Sequence, residues 1–538
     1  MKLRKTALSA SIVFALSIAG NVAAQTAPAS SQEATDLDTV VVTGIRGAQE
    51  KSLDTKRDAQ SHIEVVTAED VGKLPAHNVA DTLQGLPGVS ISSSSANEGG
   101  FDENDRVSLR GTSPSLTQTL VNGHTIGSAD WFILSQTETV GRSVSYSLLP
   151  SEIVSQAIVN KTSQAKFVEG GAAGSVNVIT RKPLEFANQI SAEGSIGAVY
   201  SDLPGTTKPQ VSGLFNYKND ANTFGFMAQA FYQERELRRD GQEIVGGFGT
   251  ITGLDGDGNP TGLADTNPDL IGVQFPSLPG SAYFTQTRER MGGLIELQAK
   301  PSDDLTLGLS AFYSDMDAKN YNRNYMLWTG NFVNSVAPLP GYVIENGTLV
   351  KADYGPAVDA NGNPVANGIY DMISRPESAA KTGYTTFDAA WDINEAFSLK
   401  TQVGYTRGQG ETPTQNIAEV VTGRSGGGWE VRGTDNTVNW YLNNPSGPTT
   451  DGFGTWGIQY YDVIDRETWF TADATWFNTS GVLSSVDFGV RYADHTREVN
   501  SPFGSDPGDI AGALAGAPTG TYPGGFGSGL GRSFPGPR

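Results

Sequence analysis

Three short stretches decide how this sequence folds: Val107-Ser-Leu-Arg-Gly111, Leu120-Val-Asn-Gly-His124 and Glu169-Gly-Gly-Ala-Ala-Gly-Ser-Val-Asn-Val-Ile-Thr-Arg-Lys-Pro183. In the first, apolar and polar residues alternate, as they do in a half-buried strand. In the second, Asn122-Gly123 separates two short apolar runs, which predicts a hairpin with a type I′ turn. The third places a Gly-rich turn before an apolar strand. Together they predict several short strands in one compact region.

The sequence around these stretches predicts the rest of a small α+β domain over residues 61–184. Val79, Leu83 and Leu86 are spaced to form one apolar face of a helix within residues 75–86. Gly85, Pro87 and Gly88 end that helix. Residues 155–161 and 176–180 supply two more predicted strands.

In order and spacing, this region resembles the plug domain of TonB-dependent receptors. The matching motifs are LQGLPGV at residues 83–89, VSLRG at 107–111, LVNGH at 120–124 and the long segment LLPSEIVSQAIVNKTSQAKFVEGGAAGSVNVITRKPL at 148–184. In detail the region is similar to the subgroup found in Xanthomonas- and Caulobacter-type bacteria. The resemblance implies a plug that is followed by an antiparallel transmembrane β-barrel in the Gram-negative outer membrane.

Composition narrows the class of protein further. The 538 residues include 65 glycines and no cysteine, only 38% are hydrophobic, and the formal net charge is −21. After the first 25 residues no apolar run is long enough for a transmembrane helix, whereas a membrane β-barrel needs an apolar residue only at every second position. The missing cysteines exclude disulfides and thiolate chemistry, and the negative charge argues against nucleic acid as a partner.

The N-terminus predicts export. Residues 1–24 combine basic residues, a short apolar core and small residues before a cleavage site, which is typical of a secretory signal peptide. Residues 25–60 are expected to form a flexible arm. Within it, a β-branched run at about 36–44 is either the first strand of the small domain or a strand that adds to a partner's sheet. Its position resembles that of the TonB box, which implies contact with TonB through Asp38, Thr39, Val40, Val41, Val42, Thr43 and Gly44.

Residues 185–538 alternate in the way expected of a partial barrel. The predicted strands are residues 190–200, 211–217, 224–232, 291–299, 305–313, 385–391, 397–405, 469–477 and 486–492. Short turns alternate with long insertions such as 235–287 and 317–382, which favours a membrane barrel over a soluble β-sandwich or propeller. About nine strands are fewer than a closed barrel of this family needs, so we expect the barrel to be incomplete in this chain.

Two arginines are candidates for a lock between the plug and the barrel. Arg110 and Arg181 match plug positions where the family places arginines that pair with carboxylates on the barrel wall. A bidentate arginine–carboxylate contact is suited to this role. Glu296 is a candidate partner because it alternates with Ile295 and Leu297. The alternative is that both arginines are ordinary solvated charges.

Aromatic residues are candidates for ligand contact. Asp130, Trp131 and Phe132 follow the predicted hairpin in a plug loop, and Trp429 and Trp440 lie in predicted barrel loops among polar residues. Such side chains suit a sugar ring, whose C–H faces pack on aromatic rings while its hydroxyls form hydrogen bonds. The alternative is that these aromatic residues hold the loops together or lie in the interfacial girdle.

The sequence offers no catalytic site. The four histidines, His62, His77, His124 and His495, have no metal-ligand spacing, so we expect no enzyme activity, no metal and no cofactor. The expected function is active uptake driven by TonB and its inner-membrane energising complex, with outer-membrane lipid around the barrel. An oligosaccharide is the first expected ligand and a ferric siderophore the alternative, since Arg235, Arg238 and Arg239 could favour an anion. A passive porin or a surface adhesin is the alternative class.

Overall fold

The computed structural model describes residues 45–67, 78–93, 104–129, 143–358, 362–431, 433, 437–443, 453–454, 458–478, 482–504 and 525–527. They belong to one compact unit of the chain. The predicted signal peptide and TonB box lie outside the described residues. Within the described part, no helix is both long and apolar enough to cross a membrane.

The first elements form a small domain. They are helices α1 (Ile45–Asp58) and α2 (Val79–Leu83), and strands β1 (Ile63–Thr67), β2 (Val89–Ser93), β3 (Asn104–Leu109), β4 (Thr117–Val121), β5 (His124–Thr125), β6 (Val154–Asn160) and β7 (Gly174–Thr180). Helix α1 occupies much of the region that the sequence predicts as a flexible arm. Its lack of a continuous apolar run explains why that region is predicted as an arm.

The small domain is built on a five-stranded sheet in the order β1-β6-β7-β4-β5. Strands β4 and β7 are parallel and the other pairs are antiparallel. Asn122 and Gly123 join β4 to β5 with φ angles of 49° and 83°, which confirms the predicted turn with two left-handed residues. The Asn78 side chain accepts a hydrogen bond from the Asp81 amide and caps α2.

Most of the described residues after the small domain lie in strands. Apart from helix α3 (Leu263–Thr266), the elements are β8 (Ile190–Ser201), β9 (Thr206–Lys218), β10 (Phe224–Thr250), β11 (Gln274–Ser302), β12 (Leu305–Leu327), β13 (Val343–Glu345), β14 (Thr348–Tyr354), β15 (Gly368–Asn394), β16 (Phe397–Thr412), β17 (Asn416–Thr422), β18 (Gly427–Glu430), β19 (Asn439–Leu442), β20 (Phe453–Gly454), β21 (Ile458–Gln459), β22 (Tyr461–Phe477), β23 (Ser485–Asn500) and β24 (Phe503–Gly504).

Nine long strands run antiparallel and side by side within one 15-stranded sheet of the described residues, and we call these nine the wall. Their order is β8-β9-β10-β11-β12-β15-β16-β22-β23. Each contains one of the nine segments predicted from alternation. The wall is not closed into a barrel in this structure.

The two faces of the wall differ in polarity. One row of paired residues on the outer face is Leu297, Leu309, Phe387, Val403, Phe470 and Tyr492. Phe387 is 46% exposed and Tyr492 70% exposed. The next row, on the inner face, contains Glu296, Ser310 and Thr386, which are buried against the small domain. An apolar outer face and a polar inner face are expected of a membrane barrel.

The wall strands are much longer than the sequence predicts. Strands β10, β11, β12 and β15 contain 27, 29, 23 and 27 residues, so much of the predicted insertions 235–287 and 317–382 is strand. The prediction fails there because both faces of these extensions carry polar residues, which removes the alternation of apolar and polar side chains. Beyond the extensions, connecting segments form a second hydrophobic core.

Candidate functional site: the interface between the small domain and the wall

The strongest electrostatic contact between the small domain and the wall surrounds Glu296 on β11. Its carboxylate accepts hydrogen bonds from Thr180 Oγ1 at 2.8 Å, Lys182 Nζ at 2.8 Å and Ser310 Oγ at 2.9 Å. Glu296 is 1% exposed, whereas the Lys182 side chain is 20% exposed. The carboxylate is therefore buried with one charged partner and two hydroxyl donors, which is the condition under which a buried charge is tolerated.

The backbone after β7 reinforces this contact. The Leu184 amide donates to Gln298 Oε1 at 3.1 Å, and Asn216 Nδ2 donates to the Pro183 carbonyl at 3.2 Å. Both wall residues lie on the inner face near Glu296. The segment that links the two domains is thus fixed along three neighbouring strands.

The two predicted lock arginines have different environments. Arg181 Nη1 donates to Glu193 on β8 at 2.9 Å, so it does contact a wall carboxylate, although Glu193 is 57% exposed. Arg110 is not brought to the wall. Its guanidinium donates to the Lys161 carbonyl at 2.5 Å within the small domain. Arg110 begins the turn after β3 with a left-handed φ of 57°, and its side chain reaches the residue that follows β6.

A second contact, which the sequence analysis missed, involves Gly127 and Ser128. Ser128 Oγ donates to Asp465 Oδ2 on β22 at 2.7 Å, and the Ser128 amide donates to the same oxygen at 3.1 Å. A Cβ on Gly127 would lie 2.2 Å from the amide nitrogen of Gly408, so the two backbones meet at a distance that only glycine allows. The close approach places Gly127 N 2.8 Å from Thr406 Oγ1.

Asp465, Ser128, His495 and Arg497 form a hydrogen-bonded cluster, the Asp465 cluster, which has a structural role. His495 Nε2 lies 2.6 Å from Asp465 Oδ1, and Arg497 Nη1 donates to Ser128 Oγ at 2.8 Å. Ser128 donates its proton to the carboxylate, and the histidine also bonds to the carboxylate. This arrangement lacks the serine–histidine bond of an activated nucleophile. The cluster therefore fastens the segment after β5 to the far side of the wall.

His124, next to the hairpin turn, packs between wall aromatics. Its ring stacks on Trp469 at 4.7 Å and meets Tyr384 edge-on at 4.6 Å. Nδ1 lies 2.8 Å from the Thr125 carbonyl, which fixes the Nδ1–H tautomer. Burial lowers the pKa of His124 to about 4, so the ring is neutral at physiological pH.

A cavity of about 1350 Å³ lies beside this histidine. The turn at residues 122–124 and strands β16, β22 and β23 line it, together with Lys182. The small domain is therefore fastened to the wall at discrete points and not over its whole surface.

One carboxylate, that of Glu64, links helix α1 to the sheet of the small domain. Glu64 accepts hydrogen bonds from Lys56 Nζ at 2.8 Å and from Lys161 Nζ at 2.9 Å. Burial raises the pKa of Glu64, but the two ammonium groups outweigh it and hold the pKa below its usual value. This bridge joins the helix that follows the predicted TonB box to strands β1 and β6.

Arginines concentrate on the inner face of the extended strands. Arg235 on β10 lies directly opposite Arg288 on β11, and Arg290 follows two residues later on the same face. Arg290 donates to the Ser147 carbonyl of the small domain and to Gln233. Alternation along β10 puts Arg239 on this face and Arg238 on the other, where Arg238 pairs with Asp240 at 2.7 Å.

Of the predicted ligand residues, Trp429 and Trp440 lie opposite each other on β18 and β19. Trp429 and Trp440 are each 1% exposed in the second hydrophobic core, and Trp429 Nε1 donates to the Leu349 carbonyl at 2.9 Å. Both rings are used for packing, so ligand contact by them stays a prediction. Asp130, Trp131 and Phe132 lie outside the described residues.

Replacing Lys182 tests the Glu296 contact. Lys182→Met should destabilise the small domain by about 3 kcal/mol, because it leaves a buried carboxylate without its charged partner. Arg181→Met should cost less than about 1 kcal/mol, since its partner is exposed to solvent. Urea denaturation in detergent, monitored by the hydrogen exchange of residues 154–180, measures the change in stability of both variants. Equal effects of the two variants would contradict this account.

His124 should make stability depend on pH. Its folded pKa of about 4 lies below the ordinary value of 6.5, so the unfolded chain takes up the proton first as the pH falls. Stability from this group is complete above pH 6.5 and is lost between pH 6.5 and 4, by roughly 2 kcal/mol at pH 5. The melting temperature of His124→Phe should fall less between pH 7.5 and 5 than that of the parent. His62→Gln, at an exposed position, is the control and should behave like the parent.

Comparison with known proteins identifies the small domain. The family model "TonB-dependent Receptor Plug Domain" matches residues 55–176. The ferric enterobactin receptor PirA of Pseudomonas aeruginosa is 24% identical over 363 residues, which are 63% of this chain and 47% of that protein. The vitamin B12 transporter BtuB of Photobacterium profundum is 31% identical over 140 residues, 26% of this chain and 21% of the relative. The chain thus spans less than half the length of these relatives.

Among solved structures, the ferric-catecholate import receptor Fiu from Escherichia coli K12 is 13% identical, and the match covers 82% of this chain and 63% of that chain. The TM-score of this match is 0.37. The small domain thus matches the plug domain of TonB-dependent receptors, and these relatives of the chain are a receptor and a transporter.

Proposed function

We propose that this protein takes up a ligand across the outer membrane by TonB-driven displacement of its plug, the small domain described above. Its location is the outer membrane of a Gram-negative bacterium, as in other members of the family. The observation that supports this function best is the set of discrete polar contacts between plug and wall. A few buried ion pairs and hydrogen bonds hold the plug firmly at rest and release it when enough of them break.

The path of the force follows from the same contacts. TonB binds residues 38–44 in this proposal, and α1 begins directly after them. The Lys56–Glu64–Lys161 bridge joins α1 to the edge strand β1 of the plug sheet and to the end of its neighbour β6. Tension on the arm is therefore transmitted to the plug sheet and then to the contacts at Glu296 and Asp465.

We propose an anionic ferric chelate of the siderophore class as the ligand, in preference to an oligosaccharide. Arg235, Arg288 and Arg290 lie close together on the inner face of the wall and favour an anion there, although the chain as a whole is acidic. One relative is named for ferric enterobactin. The sequence-based preference for a sugar depended in part on the aromatic residues of the loops, and two of these, Trp429 and Trp440, are buried.

Deleting residues 38–44 separates uptake from binding. The deletion should abolish ligand-dependent iron uptake in cells, because TonB has no strand to pair with, and should leave the affinity for ferric enterobactin unchanged. Calorimetry on the purified protein in detergent measures the affinity for ferric enterobactin. A separate titration with maltoheptaose tests binding of an oligosaccharide. A scrambled 38–44 segment of the same length is the control for arm length.

Persistence of uptake in the deletion variant would favour a passive pore and contradict the proposal. Binding of maltoheptaose, with no binding of the chelate, would reverse the ligand preference and leave the mechanism intact.

A further inference from the structure

Three asparagines form a ladder on the inner face of β12. In Asn320-Tyr-Asn-Arg-Asn324 the amides alternate with larger side chains, and the strand period directs all three to one face. Asn320 lies opposite Gln286 on β11, and the Gln286 side chain donates to the side-chain oxygen Oδ1 of Asn320. Gln286 belongs to the same face as Arg290 and Glu296, which contact the plug. The ladder therefore faces the interior of the protein.

The ladder is buried with unused hydrogen-bonding capacity. Asn322 is 1% exposed and Asn324 is 2% exposed, and neither amide nitrogen nor amide oxygen of either side chain has a hydrogen-bond partner. Asn320 is 3% exposed, and its amide nitrogen is unpartnered too. A buried amide without partners is costly, and such groups persist chiefly where they have a functional role.

The opposite face of the same strand holds the ladder in place. Tyr321 and Tyr283 meet edge-on at 6.4 Å, the Arg323 guanidinium lies 5.3 Å over the Tyr283 ring, and Tyr325 packs against Trp440 at 5.3 Å. These contacts fix the backbone of β12 and therefore the direction of the three amides. A rigid support of this kind is what a preorganised binding site requires.

Guanidinium groups flank the amides. Arg288 donates to Gln286 at 2.7 Å, and Gln286 donates to Asn320. On the other side Arg375 of β15 pairs with Asn320 across the strands and donates to Gln415 at 3.0 Å. Two carboxyl groups are near: Asp371 lies opposite Asn324, and Glu419 on β17 lies opposite Asp371. The cluster thus combines several N–H donors with two guanidinium groups and two carboxyl groups.

We infer that Asn320, Asn322 and Asn324 form a binding site on the wall for the oxygen atoms of an anionic chelate, with Arg288 and Arg375 providing charge complementarity. This inference rests on the proposed function and deepens it by naming the ligand-contacting residues. Amide and guanidinium N–H groups donate to the metal-bound oxygens. Because the ladder is closed to solvent, binding includes a local rearrangement that opens the wall to the ligand.

Asn322→Leu, a substitution of similar volume, tests the site. It should weaken the binding of ferric enterobactin tenfold or more by calorimetry, and it should leave the melting temperature unchanged or raised, because it removes an unpartnered buried amide. Asn219→Leu is the control. Both polar atoms of the Asn219 side chain have partners, because Nδ2 donates to Thr223 Oγ1 and Oδ1 accepts from the Thr223 and Phe224 amides, so this variant should lower the melting temperature and keep the parent affinity.

Unchanged affinity in Asn322→Leu, or a lowered melting temperature, would overturn the site and leave the proposed uptake function standing. If the parent protein binds no ferric chelate, the ligand class in the proposed function fails, and the site fails with it. Loss of binding in both asparagine variants would indicate a general effect on folding and would also overturn the assignment.

Discussion

A single buried carboxylate, that of Glu296, determines how the plug and the wall fit together. Three hydrogen bonds from Thr180, Lys182 and Ser310 stabilise it in a position that water does not reach. Two of these donors belong to the plug and one to the wall. The plug cannot leave without exposing or neutralising this charge. Displacing the plug therefore has a large electrostatic free-energy cost. The surrounding hydrogen bonds at Pro183 and Leu184 align the chain so that Lys182 reaches the carboxylate.

The Asp465 cluster complements this contact at the other end of the plug. Glu296 holds the chain that leaves the plug sheet, whereas Asp465 holds the segment that follows the hairpin at Asn122. His124, between the two, packs on wall aromatics and adds apolar contact. Because these points lie on different strands of the wall, the plug resists rotation as well as translation. Each contact alone is modest, and release requires several to break together.

Sequence pattern predicted most of the fold because the membrane-facing rows alternate strictly. Phe387, Val403 and Tyr492 all belong to segments identified by that alternation. The strand extensions were missed because residues such as Asn320 and Arg375 are polar and carry no such signal. Arg181 contacts the wall carboxylate of Glu193, and its role as a lock stays a prediction. The charged partner of Glu296 is Lys182, one residue away from Arg181. Pairing of this kind depends on register across the sheet, which a single sequence does not contain.

No sequence pattern indicates the Asp465 contact, because Ser128 and Asp465 are 337 positions apart in the chain. Gly127 is one glycine among 65, and its close approach to Gly408 appears only in three dimensions.

Cross-linking the plug to the wall tests the central claim most directly. The chain has no cysteine, so Ser128→Cys with Asp465→Cys introduces a single thiol pair. Joining these thiols with a short, cleavable cross-linker should abolish uptake of ferric enterobactin, and cleavage of the linker should restore it. The unlinked double variant is the control for loss of the native contact. Equal uptake by the linked and unlinked protein would show that the plug does not leave the wall and would contradict the account.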